Sequence, residues 1–281
     1  MPMNYPNIDP IALSISEFSL LGFNLGPFNV HWYGIMYLCA FIAALLIGRY
    51  RAAQSYTPIN KAQVEDLIFY GAMGVVIGGR FGYVFFYNFE QFLETPLWLF
   101  KIWEGGMAFH GGLLGVIVAM VLYARKLNIS FLSLMDFVAP LVPIGLGFGR
   151  LGNFIGGELW GRETTVSWAM RFPQDPDALL RHPSQLYQAV LEGFVLFAIV
   201  FWFSAKPRPK ASVGALFLIF YGLQRFIIEF YREPDAHIGL VMGWVSRGQI
   251  LSLPMIAAGV IIFIMAYKLD ANPKSGAPLK R

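Results

Sequence analysis

The 281-residue chain is 57% hydrophobic and 16% aromatic, and only 14% of it is Asp, Glu, Lys or Arg, against about 25% charged residues in an average soluble domain. That composition excludes an ordinary soluble globular protein, and a single cysteine, Cys39, excludes a disulfide scaffold. The formal charge of +4 is clumped between long apolar runs, which speaks for a membrane and against a nucleic-acid partner.

Residues 1 to 30 contain no Lys or Arg, so they lack the basic n-region of a cleavable signal peptide and read as an outer-surface lead-in. Seven weakly charged apolar stretches follow, at about 31–49, 66–88, 107–124, 135–152, 187–205, 213–231 and 248–267. Each approaches the 17 to 25 residues or so that cross a bilayer as a helix. A helix satisfies its own backbone in lipid, and the two-residue alternation of an outer-membrane barrel is missing, so the expected fold is all-α and polytopic, with about seven transmembrane helices.

Basic residues orient these spans. One set of loops holds Arg49, Arg51, Lys61, Arg125, Lys126, Lys206, Arg208, Lys210, Lys268, Lys274, Lys280 and Arg281; the other holds Lys101, Arg162, Arg171, Arg181, Arg232 and Arg247. The positive-inside bias makes the richer set cytoplasmic, with the N-terminus outside and the C-terminus inside. The remaining three, Arg80, Arg150 and Arg225, fall within spans. An arginine there costs a few kcal/mol unless it meets water, a counter-charge or a ligand.

Along the chain, Gly74, Gly78, Gly79 and Gly82 in the second span form a small-xxx-small pattern and read as helix packing. Gly147, Gly149 and Gly152 in the fourth match the spacing of a dinucleotide fingerprint. That fingerprint needs a soluble strand before it, and here a membrane span precedes it, so the glycines are expected to open room beside Arg150. The segment 153–186 is long, charged and proline-containing, and is expected to form a small periplasmic head or lid within a single membrane domain, 1–281.

The orientation carries several unusual polar residues to one leaflet: His110, Arg150, Asn153, Glu158, Gly161, Arg162, Glu192, Arg225, Glu229 and Arg232. Arg225, Glu229 and Arg232, at i, i+4 and i+7, form one charged helical stripe. By itself that stripe could be an internal ion pair. Arg150, Arg225, Arg232 and Arg80, however, outnumber the membrane-level carboxylates Glu192 and Glu229, which leaves room for an anion such as a phospholipid phosphate. His110 reads either as a packed interfacial histidine or as a neutral imidazole able to take a proton. Tyr33 and Trp32 sit where an aromatic belt is expected. The four histidines, His31, His110, His182 and His237, have no recognisable metal-ligand spacing, so no metal or cofactor is expected.

These residues resemble the bacterial prolipoprotein diacylglyceryl transferase family. The likeness runs through His31-Trp32-Tyr33-Gly34, Gly78-Gly79-Arg80, Phe109-His110-Gly111-Gly112, Gly149-Arg150-Leu151-Gly152-Asn153-Phe154-Ile155 onward to Glu158 and Gly161-Arg162, the run Arg181 to Tyr187, and Arg225-Phe226 through Glu229 to Arg232. It spans nearly the whole chain in family order, with one departure, Gly156 where asparagine is expected. The resemblance implies an inner-membrane enzyme that moves the diacylglyceryl group of phosphatidylglycerol to the lipobox cysteine of a prolipoprotein signal peptide and releases glycerol phosphate. It implies Arg150 and Arg225 as phosphate-handling catalytic residues, and Asn153, Glu158, Gly161, Glu229, Arg232, His110, Tyr33 and Tyr221 as further functional positions. His110 is the expected thiol base, with Glu158 and Glu229 as rivals; Arg80 is a further candidate for substrate binding. The alternative reading is a transporter for an anionic solute, which calls for internal repeats and interrupted mid-membrane helices.

Overall fold

A computed structural model of the chain describes residues 3–6, 8–20, 23–234, 241 and 245–271. The expected basic tail residues Lys274, Lys280 and Arg281, and His237, lie outside the described residues. The chain divides into two compact units, Met1–Ala44 with Ala139–Arg281, and Leu45–Val138.

Every apolar stretch expected from the sequence is helical, in α1 (Trp32–Arg51), α2 (Lys61–Tyr87), α4 (Phe109–Lys126), the pair α5 (Phe131–Val138) and α6 (Val142–Ile155), the run α7 (Ser184–Gln188) to α8 (Leu196–Phe203), α9 (Ser212–Ile228) and α10 (Arg247–Asp270). A short α3 (Phe89–Glu94) follows α2. Among the described residues, five helices are long and apolar enough to cross a membrane by length and composition, or six if α5 and α6 form one broken span. Pro140 lies in that break, where it has no N–H to continue the helix, and Pro143 sits in the first turn of α6, where none is needed. α9 has 17 residues and falls just short.

The mostly helical, polytopic architecture agrees with the expected all-α class, with a small addition before α1. The lead-in contains four short strands: β1 (Ile11–Ile15) pairs antiparallel with β4 (Phe28–His31), and β2 (Phe18–Leu20) with β3 (Phe23–Leu25). Their side chains are largely exposed where described, so no hydrophobic alternation marked them in the sequence.

Within Leu45–Val138, α2 and α4 pack backbone to backbone, as the glycine spacing predicts. A Cβ on Gly74 would lie 2.8 Å from the Gly115 carbonyl oxygen, and one on Gly82 would lie 2.7 Å from the Gly111 Cα. Two spans without side chains at their contact can gain dispersion along the whole seam, which is what drives helix association in lipid. A capping box from Asn60 and Gln63 starts α2.

In the other unit, α9 and α10 pack through Gly222, against Ile256, and Gly259, against the Ala215 carbonyl. A core of Ala139, Leu196, Val200 and Val213 joins α8 to α9. The fingerprint-like glycines serve different purposes: a Cβ on Gly147 would lie 3.2 Å from the Gly193 Cα, Gly152 receives the Tyr33 ring, and open space surrounds Gly149. Residues 153–186 form an irregular, bridged segment around Phe154, Met170 and Phe172, with Tyr5, Trp160 and Leu186 packed on it. The Tyr5 hydroxyl points at the Phe154 and Ile155 carbonyls (2.5 and 3.0 Å), supplying a partner to the orphan acceptors at the end of α6.

Candidate active site

The site grows from one buried carboxylate. Glu192 is fully buried and sits in a π-helical turn, Ala189–Val195, between α7 and α8. Such turns widen a helix locally and re-aim a side chain, which is why they recur at functional positions. Two arginines from two other helices converge on it: Arg150 Nε lies 3.8 Å from Glu192 Oε2, and Arg225 Nη1 lies 3.6 Å from Oε1. Those separations hold charge against charge without forming hydrogen bonds, and neither Glu192 oxygen has a hydrogen-bond partner among the described residues.

Glu229 extends the network. Its Oε1 pairs closely with Arg225 Nη2 and lies 3.6 Å from Arg232 Nη1, while its Oε2 accepts a 2.6 Å hydrogen bond from the Ser246 hydroxyl. Arg162 donates to the Arg232 carbonyl (3.1 Å) and the Glu229 carbonyl (3.5 Å), which adds a fourth guanidinium at the end of α9. Among the described residues, Arg150, Arg225 and Arg232 meet the two carboxylates Glu192 and Glu229 in one connected set, with Arg162 held on backbone carbonyls beside it. In a low-dielectric setting Arg150 and Arg225, which share the single carboxylate Glu192, suit an incoming anion. Tyr221, one helical turn before Arg225, stacks on Phe217 at 5.6 Å.

The backbone around Gly161 ties residues 161–162 and 182 to the end of α9. Gly161 bridges Arg232, its N–H donates to the His182 carbonyl (2.9 Å), and Arg162 N–H donates to the Tyr231 carbonyl (2.8 Å). A Cβ on Gly161 would overlap the Tyr231 carbonyl oxygen and lie 2.7 Å from the His182 carbonyl oxygen, so any side chain there would force the strands apart. Asn153 is buried and its Nδ2 donates to Glu158 Oε1 at 3.5 Å; the Glu158 carbonyl accepts from Gln185 Nε2 at 2.7 Å. Glu158 lines a cavity of about 720 Å³ together with Tyr33, His31, Gly152, Gly156 and Gln174. Gly156 keeps this wall low: a Cβ there would lie 3.3 Å from Glu158 Oε1.

Within residues 153–186, Arg181 grips Asp175 through Nε (2.8 Å) and Nη2 (3.1 Å) and reaches Glu233 through Nη1 (3.2 Å). The guanidinium holds the Asp175 carboxyl below the usual carboxylate range, and burial pushes the His182 imidazole below the usual histidine range.

Comparison with known proteins gives the family. A family model described as prolipoprotein diacylglyceryl transferase matches residues 21–265. The chain is 63% identical over 270 residues to the phosphatidylglycerol–prolipoprotein diacylglyceryl transferase of Teredinibacter turnerae, covering 96% of this chain and 94% of that one. It is 55% identical to the protein of the same name from Marinomonas sp. (97% and 98% covered) and 53% identical to that from Acinetobacter baylyi (95% of each). The chain belongs to the prolipoprotein diacylglyceryl transferase family. That membership sets aside the transporter alternative.

In this member of the family, Arg150, Arg225, Glu229, Arg232 and Tyr221, expected as site residues, stand in or beside the network, and Asn153, Glu158, Gly161 and Tyr33 lie in the same unit. Arg80 and His110 belong to the Leu45–Val138 unit. There Arg80 is 2% exposed and spends its guanidinium on the backbone: Nε on Leu99 O (3.0 Å), Nη2 on Trp98 O (2.6 Å), and Nη1 on Gly105 O (2.5 Å) and Gly106 O (3.4 Å), with the Trp98 ring 4.4 Å away. Arg80 thus staples the connection into α4, and its charge is not directed at an anion in this arrangement. His110 stands in the first turn of α4, edge-on to Phe109 at 5.5 Å. The sequence reading missed Ser246, Gly248 and Gln249. Their signal was legible: Ser-x-x-Gln immediately before an apolar run is a capping box.

Proposed function

We propose that this protein transfers the diacylglyceryl group of phosphatidylglycerol to the lipobox cysteine thiol of prolipoproteins, forming a thioether and releasing glycerol phosphate. It works in the bacterial inner membrane with its active side toward the periplasm, in keeping with the lysine and arginine bias of its loops. The observation that carries the reading is the convergence of Arg150 and Arg225 on opposite oxygens of one buried glutamate.

The chemistry needs what this set supplies. A thiolate attacks the glyceryl carbon, the carbon–oxygen bond to phosphate breaks, and the departing phosphate gains a second negative charge. Guanidiniums that meet that growing charge lower the barrier; contacts equally strong with the intact diester only bind it. Arg150, whose guanidinium makes no protein hydrogen bond among the described residues, and Arg225 take this role. Arg232 and Glu229 hold Arg225 in place, and Asn153, Glu158, Gly161, Tyr33 and Tyr221 shape the substrate site. The thiol, with a pKa of about 8.5, must lose its proton. His110 is the proposed base, with Glu158 and Glu229 as rivals. Both substrates are membrane-embedded and enter sideways from the lipid.

The test is incubation of the purified protein with labelled phosphatidylglycerol and a lipobox peptide. A thioether-linked product with equimolar glycerol phosphate supports the proposal; no product from folded protein refutes it. Near-normal turnover and an unchanged pH profile in His110→Gln would remove His110 as base.

A further inference from the structure

Glu229 is held from a direction that the reaction chemistry does not use. Ser246 is buried, and its hydroxyl donates to Glu229 Oε2 at 2.6 Å while accepting from the Gln249 N–H at 3.1 Å. The Gln249 side chain returns a bond to the Ser246 N–H at 3.0 Å, closing the capping box that starts α10. A serine hydroxyl has one hydrogen. Because its oxygen is occupied by Gln249, the geometry commits that hydrogen to Glu229. Gly248 completes the seat: a Cβ there would lie 2.5 Å from the Glu229 carboxyl carbon and 2.8 Å from each oxygen, so only glycine lets the carboxylate rest on the first turn of α10. The positive end of that helix suits the charge placed on it.

We infer that Ser246 is a positioning residue for diacylglyceryl transfer: by holding Oε2 of Glu229 it keeps Oε1 on Arg225 and Arg232, and so fixes the guanidiniums that face the phosphate. The inference rests on the proposed function. With the hydroxyl donor gone, Glu229 is free to turn both oxygens onto the arginines. They are then better neutralised and worse aimed, which weakens the contact with the phosphate as its second charge develops.

Two variants separate this role from helix capping. Ser246→Gly removes the donor and is nearly neutral as an N-cap, whereas Ser246→Ala removes the donor and the cap together. With the full-length protein in phosphatidylglycerol vesicles and a cysteine peptide, both are expected to lose about tenfold to a hundredfold in kcat, the scale of a lost hydrogen bond to a charged group, with KM within about threefold. Ser246→Thr, which retains the donor, is expected to recover most of that loss. Wild-type kcat in either folded donor-free variant, with or without a lowered melting temperature, overturns the inference and leaves Ser246 as a helix cap. Absence of turnover in the wild-type protein refutes the proposed function instead, so the two failures are distinguishable.

Discussion

Arg150→Lys is the sharpest test of the site because it preserves the charge and changes only its shape. The charge around Glu192 and Glu229 is the same in both proteins, so an account based on charge alone expects nearly unchanged turnover. The geometry expects otherwise. Arg150 meets Glu192 through Nε at 3.8 Å, which leaves the outer nitrogens of its fork for a ligand. A lysine ammonium can hold Glu192 or a phosphate oxygen, but as a point charge it cannot grip two oxygens in one plane. Loss of one preorganised donor to a developing oxyanion costs about 10²–10³ in kcat, or about 2.7–4 kcal/mol. The assay is glycerol phosphate release from phosphatidylglycerol vesicles with a cysteine peptide, with KM and kcat measured separately and the fold checked by thermal melting. Turnover within about threefold of wild type in a folded Arg150→Lys protein would refute two-pronged phosphate contact.

Glu192→Leu removes the carboxylate that separates Arg150 and Arg225; breaking a buried pair in this way costs about 3–5 kcal/mol, and a lower melting temperature in detergent is expected. Gly115→Val should prevent the α2–α4 seam from closing, since even a Cβ there would lie 2.9 Å from the Gly78 Cα, and the readout is loss of monodisperse protein on purification. Arg80→Ala removes four bonds to carbonyls between Trp98 and Gly106, so limited proteolysis should speed up there, while an unchanged cleavage rate would contradict the staple. Residues 153–186 should have an acid limb. Asp175 titrates lower when folded than when unfolded, so its contribution to stability is complete above about pH 4, the unfolded carboxyl range, and is lost as pH falls through the depressed folded value. In Asp175→Asn, melting temperature is expected to lose that dependence.

The membrane class and the positions of the helices were legible because lipid imposes a crude rule, a long run of apolar residues, that needs no knowledge of partners. The packing glycines of α2 were legible for a related reason, since their spacing suits close helix contact, whereas their partners Gly111 and Gly115 on α4 emerged only in the structure. The count of spans was less so: α9 and the α5–α6 pair are apolar but short or broken, and composition does not measure where a helix stops. The β1–β4 lead-in was illegible because pairing lies between segments, and its exposed side chains leave no alternation to read.

At the candidate site, the sequence by itself determined which residues were costly in a membrane, because an arginine or glutamate in an apolar run must be answered by something. It could also count guanidiniums against carboxylates. Only the tertiary structure decided who answers whom. Arg150, Glu192 and Arg225 come from three helices, and their meeting depends on a π-helical turn and on helix packing that no local pattern encodes. Arg80 makes the same point from the other side. Its type and depth matched those of Arg150, yet its guanidinium closes on backbone carbonyls 18 to 26 positions farther along the chain. A charge declares its cost locally; its partner is fixed by long-range contacts, which form only when the chain has folded.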